Sequence, residues 1–253
     1  MAKSFDAHLT GLYTSAANDV SFFMMEEIAS KVKPTMRAWW MQMRDKVRAE
    51  FERVQRDTGI AADWLEVERD VGAMVPYYAR YADLTIVSQN NPEELLPFPE
   101  YEIPERVALE SGRPVVVIPH NRKAGTVGRR VLIAWNGSAQ SARAANDALP
   151  FLRRAESVTI LTINPDGLRK SPSDEPGTHI AAHLLRHGIK ANARKLVADD
   201  VAVGDMILSQ ASDEGADLIV MGAYGHPRAR EIVLGGATRA LFEHMTVPIL
   251  LSH

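Results

Sequence analysis

Two segments of this chain occur twice. Tyr81-Ala-Asp-Leu-Thr-Ile-Val87 parallels Gly215-Ala-Asp-Leu-Ile-Val220, and Gly112-Arg-Pro-Val-Val-Val-Ile118 parallels Thr246-Val-Pro-Ile-Leu-Leu251. Such a repeat reads as two copies of one unit, residues 1–121 and 129–253, with a linker near 121–128. In the second copy, apolar runs alternate with helical patterns. Arg130-Val-Leu-Ile-Ala-Trp135 is a strand, and Ser138 or Ser141 caps the helix carrying Ala142, Ala145, Leu149 and Leu152. Further strands are expected at 158–163, 191–197, 217–221 and 247–251, with helices at 179–187, 203–214 and 235–245. A Pro/Gly/Asp/Ser stretch over 164–177 reads as a loop. Strands alternating with helices specify an α/β fold, a parallel sheet doubly wound by helices. The first copy opens at Ala7-His-Leu-Thr-Gly-Leu-Tyr13, the counterpart of the 158–163 strand. It therefore lacks its first strand and helix. That implies either an amino-terminal truncation or a variant in which another segment fills the gap, since the missing strand belongs mid-sheet.

The end of the second copy carries the chemistry. Asp217-Leu-Ile-Val-Met221 runs into Gly222-Ala-Tyr-Gly225, nine residues follow, and Gly235-Gly236-Ala237-Thr238 opens a helix. Glycines after a strand let the backbone turn sharply and approach a ligand. Glycines at a helix start present free amides at the positive end of its dipole. Together they suit an anion, most simply phosphate. Turn and cap chemistry without a ligand would use the same residue type. The loop after Val87, Ser-Gln-Asn-Asn-Pro, contains no glycine, so the first copy lacks this cradle.

At these residues the sequence resembles the universal stress protein family, whose nucleotide-binding members carry Gly-x-x-Gly, nine residues, then Gly-Ser or Gly-Thr. Gly222, Gly225 and Gly235 match that spacing, whereas Gly236 stands where the family has a hydroxyl residue, and Thr238 offers one two residues later. Asn136 stands at the family's usual aspartate, and Trp135 is bulkier than its usual neighbour. The resemblance is strong over 129–253 and weaker over 1–121. It implies two tandem domains like those of the adenine nucleotide alpha hydrolases. Ala134, Trp135 and Asn136 would border base and ribose, and Ile163 would close the adenine pocket. Met221, Gly222, Tyr224, Gly225, Gly235, Gly236 and Ala237 would surround ribose and phosphates, with Thr238 beside them. The cofactor implied is ATP, with Mg2+ held mainly by its phosphates. Family domains pair through their final strands, so the two halves are expected to pair within one chain through Pro114-Val-Val-Val-Ile118 and Pro248-Ile-Leu-Leu251, and the chains then to associate as a homodimer. The function implied is nucleotide-linked stress regulation. A scaffold or small-ligand-binding protein is the alternative.

Composition narrows the classes. The formal net charge of −3 gives no global basic field to draw the chain to nucleic acid or an anionic membrane. With no cysteine, thiol catalysis and disulfides are excluded, and a reducing cytoplasm is the expected location. No run of about 18 apolar residues occurs, and Met1-Ala-Lys-Ser-Phe-Asp6 leads into no long apolar stretch, so a secretory signal is not expected.

The remaining features are weaker. His179, His183 and His187 recur every four residues near one helix face, but no acidic or cysteine partner lies nearby, so no metal site is assigned. His226, Arg228 and Arg230 adjoin the glycine motif and suit either phosphate pairing or a solvated loop. Neither a Gly-x-x-x-x-Gly-Lys-Ser/Thr loop nor a Gly-x-Ser-x-Gly elbow is present, so no catalytic residue is assigned, and any ATP hydrolysis is slow. The Met- and Trp-rich stretch from Phe22 to Met43 reads as a helix packed on its own sheet, or as an adaptable surface, broken or kinked at Pro34.

Overall fold

The computed structural model describes residues 1–15, 26–69, 71–91, 103–122, 125–164, 177–197, 201–223 and 241–253. They form two compact units, Met1–Tyr78 and Ala79–His253.

In the first unit a single turn, α1 (Ala2–Phe5), precedes β1 (Leu9–Thr14). The long helix α2 (Glu26–Thr58) connects β1 to β2 (Ala62–Val67), and α3 (Val71–Ala79) follows. β1 and β2 pair in parallel, Leu9 opposite Ala62 through Thr14 opposite Val67. Helix and sheet meet where β1 is thinnest. A Cβ on Gly11 would lie 2.7 Å from Phe51 of α2 and 3.0 Å from Trp64 of β2, so only glycine admits these rings. The Phe51 and Trp64 rings lie 5.2 Å apart. Pro34 lies inside α2, and the helix continues on both sides of it, so of the expected break or kink the break does not occur. Its lost amide is a local defect, and the Met, Arg, Gln, Lys and Glu residues that follow are strong helix formers. The solvent face of α2 is laced with ion pairs. Arg53 bonds Glu50 at 2.6 Å and Asp57 at 2.8 Å. The Glu50 bond raises the guanidinium's pKa and in return holds the Glu50 carboxyl below its usual range.

The second unit holds a seven-stranded sheet in the order β3-β4-β9-β8-β5-β6-β7. Its strands are β3 (Thr85–Ser88), β4 (Val115–Ile118), β5 (Arg130–Ala134), β6 (Ser157–Ile163), β7 (Asn192–Leu196), β8 (Leu218–Gly222) and β9 (Ile249–Ser252). The helices are α4 (Ile103–Glu110), α5 (Ala139–Asp147), α6 (Leu149–Leu152), α7 (Thr178–Arg186) and α8 (Val203–Asp213). Every pair is parallel except β4 with β9, which run antiparallel with Val115 opposite Leu251 and Val117 opposite Ile249. Strands β4, β5, β8 and β9 read as near-continuous apolar runs because both of their faces are covered. Val115, Val116, Leu132, Leu218, Ile219, Leu250 and Leu251 have no exposed surface.

Order and register fix what the repeat means in space. From β9 to β7 the sheet holds five strands of one doubly wound unit, with β5 at its centre. The equivalent strands of the first half are β1 and β2, paired only with each other, and β3 and β4 at one end of the large sheet. The described residues supply no counterpart of β5 for that half.

Candidate functional site

β5 is the switch point of the five-stranded unit. The chain leaves it for β6 on one side and returns through β8 on the other, the arrangement in which doubly wound sheets bind ligands beyond the carboxyl ends of their strands. Ala134 is opposite Leu161 on β6 and Met221 on β8, and the Trp135 amide donates to the Leu161 carbonyl at 2.8 Å. Ile163 lies two residues further along β6. Ala134, Trp135, Ile163 and Gly222 are half-buried, while the middles of the same strands are fully buried. The strand ends thus leave these apolar residues partly accessible, with the exposed Asn136 next in the chain after Trp135.

The turn after β5 is built by local hydrogen bonds. Asn136 Oδ1 accepts from the Ser138 amide at 3.1 Å, forming an Asx turn around Gly137, whose φ is 71°. Ser138 Oγ in turn accepts from the Ser141 amide at 3.1 Å and caps α5, which decides between the two candidate caps. Since a backbone N–H can only donate, this contact identifies the atom on the turn side of Asn136 as its oxygen. Its NH2 group remains to face a ligand.

Gly222 is held by packing. A Cβ there would stand 2.5 Å from both Gln140 C and Ser141 N, because the first turn of α5 lies directly against the end of β8. The Ala223 amide then donates to Ser252 O at 2.8 Å, and the His253 ring bonds Ala223 O at 3.0 Å. The roles of Gln140, Ser141 and Ser252 in shaping this corner were not evident from the chain. Nothing in a linear pattern marks which residue a glycine must admit.

Of the residues singled out from sequence, Ala134, Trp135, Asn136, Ile163, Met221 and Gly222 therefore gather at the ends of three adjacent strands. Tyr224, Gly225, Gly235, Gly236, Ala237 and Thr238 lie outside the described residues, as do His226, Arg228 and Arg230. The His183 and His187 rings meet edge to face at 4.9 Å at the end of α7. Among the described residues no group of three or more potential metal ligands gathers, and no helix is long and apolar enough to cross a membrane.

Comparison with known proteins bears on the same half of the chain. The model of the universal stress protein family matches residues 128–253. Universal stress protein Slr1230 of Synechocystis sp. is 27% identical over 151 residues, which cover 58% of this chain and 49% of that protein. The match thus spans about half the length of that curated relative. A universal stress protein from Archaeoglobus fulgidus is similar in structure over 97% of this chain and 87% of its own, with a TM-score of 0.69 and 15% identity, a likeness of fold. A family structure from Arabidopsis thaliana, 16% identical over 49% of this chain and 90% of its own with a TM-score of 0.32, was solved with AMP bound.

Proposed function

Because residues 128–253 belong to the universal stress protein family, we propose that this half of the chain binds an adenine nucleotide, ATP, and that the protein regulates a stress response through it. The observation that carries this reading is the meeting of half-buried residues at the carboxyl ends of the adjacent strands β5, β6 and β8. Half-buried Ala134, Trp135 and Ile163 there offer an apolar surface to a flat base, beside the free NH2 of Asn136. The spacing of Gly222, Gly225 and Gly235 supports phosphate binding next to it. Bound ATP would supply a transferable phosphoryl group and a charge for Mg2+. The chain's own residues bind and orient, and no described side chain is positioned as a general base. The location proposed is cytoplasmic, and the organisation proposed is a tandem of 1–121 and 129–253, with one nucleotide per chain in the second copy.

One observation favours a second reading, a scaffold or small-ligand protein without nucleotide. The packing of α5 already accounts for Gly222, so one of the three motif glycines needs no ligand to explain it. The test is to denature the purified protein and identify any released ligand by mass spectrometry, followed by calorimetry with ATP. We expect one site on the parent chain, and binding weakened by at least a hundredfold in Gly225→Val, whose side chain would occupy space the phosphate needs. Equal affinity of variant and parent would reject the cradle. Two sites per chain would reject its confinement to the second half.

A further inference from the structure

The first unit carries a cavity that the nucleotide reading leaves unused. It lies where β1 and β2 end, under the middle of α2, and Tyr13, Ser15, Arg37, Trp40, Arg44 and Glu66 are among its walls. This is the end of a parallel sheet where α/β folds present their ligand groups. Its volume is about 110 Å³ and it is partly open to solvent, well below the few hundred Å³ of a pocket for a larger ligand and of a size for a small molecule such as a short amino acid.

The polar groups of this cavity are fixed from outside it. Arg44 gives Nε and Nη2 to Asp45 Oδ1 at 2.9 and 2.8 Å, and this bond raises the guanidinium's pKa. Glu66 Oε1 accepts from Trp64 Nε1 at 2.8 Å and from Arg48 Nη1 at 3.2 Å. The groups left over are Arg44 Nη1 and Glu66 Oε2, which face each other across 3.9 Å, wider than a hydrogen bond. A donor and an acceptor are thus held apart with their side chains already ordered, so little conformational freedom remains to be lost on binding. Arg37 and Glu68 add a second pair of opposite charges to the walls, which leaves the lining neutral overall. A simple anion would meet Glu66 and Glu68, and a simple cation would meet Arg37 and Arg44. Trp40 and Met41 supply the apolar remainder, and Tyr13 Oη is turned away, donating to the Trp40 carbonyl at 2.9 Å.

We propose that this cavity binds a small zwitterion, an amino acid with a short apolar side chain, its carboxylate on Arg44 and its ammonium on Glu66. Binding here is independent of any nucleotide in the second unit.

The test is a titration of the full chain with L-alanine, followed by the indole N–H resonances of Trp39, Trp40, Trp64 and Trp135 in nitrogen–proton correlation spectra. Acetate and methylammonium serve as half-ligands. A saturable shift of Trp40 and Trp64 is expected, with Trp135 unmoved. Glu66→Gln should weaken binding at least tenfold, the usual consequence of losing a charge-assisted bond. Met41→Trp, which fills the cavity and leaves the charges in place, should abolish it. No saturable shift of Trp40 in the parent chain at high millimolar L-alanine would overturn the proposal whether or not the variants fold. Acetate binding as tightly as L-alanine would also overturn it, because the site would then be one for anions alone.

Discussion

An alanine methyl at position 222 would lie 2.5 Å from two backbone atoms of α5, and neither can move without shifting the helix. Gly222→Ala should therefore cost about 1–3 kcal/mol of stability in ligand-free protein, measured by urea unfolding. An unchanged midpoint and slope would show that α5 is free to withdraw. Asn136 makes a different point. Its oxygen already accepts from the Ser138 amide, so the group it has wholly free for a ligand is the NH2 donor. Asn136→Asp keeps an acceptor for Ser138 and points a second, charged acceptor outward. If a ribose hydroxyl or a base amino group is the partner, ATP affinity should rise by about tenfold, as a charge-assisted bond replaces a neutral one. Calorimetry that finds equal or weaker binding would place the nucleotide's donors elsewhere. Both residues could be picked out in the sequence, Gly222 by spacing and Asn136 by its place after a strand. Neither could be explained from it, because the explanation lies in what α5 does.

At the scale of elements, the strands of the second half were legible because their apolar runs are bounded by turn residues. β5, β6 and β8 fall within a residue or so of their expected limits. The continuation of α2 through Pro34 was not legible, since a local steric rule cannot weigh one defect against a long helix. The two units also differ in what holds them. All the fully buried large apolar residues described belong to the second unit, beginning with Val107. β1 and β2 are a two-stranded parallel sheet whose side chains are at best half-buried. A pair of strands without a third is marginal, and local opening follows where burial is least. In native-state hydrogen exchange, amides of β1 and β2 should exchange at least a hundredfold faster than those of β5 and β8. Equal protection in the two sheets would mean that α2 holds the small sheet more firmly than its burial implies.

For the whole molecule, the pairing of β4 with β9 is decisive. Both repeats end in the same apolar strand, and the two copies of that strand bond to each other, as the matching runs Pro114-Val-Val-Val-Ile118 and Pro248-Ile-Leu-Leu251 suggest. The final strands are thereby occupied within one chain, so the proposed homodimer would have to form through another part of the chain, such as an end of the sheet. Light scattering at micromolar concentration should give twice the 28.0 kDa chain mass, and Ile86→Lys should return it to one. A parent chain that remains monomeric would remove the homodimer from the proposal.

The ends of that sheet are unlike. β7 carries Arg194 and Lys195, both exposed, and such charges discourage a further strand. β3 is Thr-Ile-Val-Ser, with no charge and with Ile86 46% exposed. A ribbon with two receptive ends can lengthen indefinitely, as fibres do. By this difference in charge β3 is the better-suited end for a further strand, and two copies joined β3 to β3 about a twofold axis would present only the basic β7 edges of their sheets. In such a pair, growth would stop at the first addition.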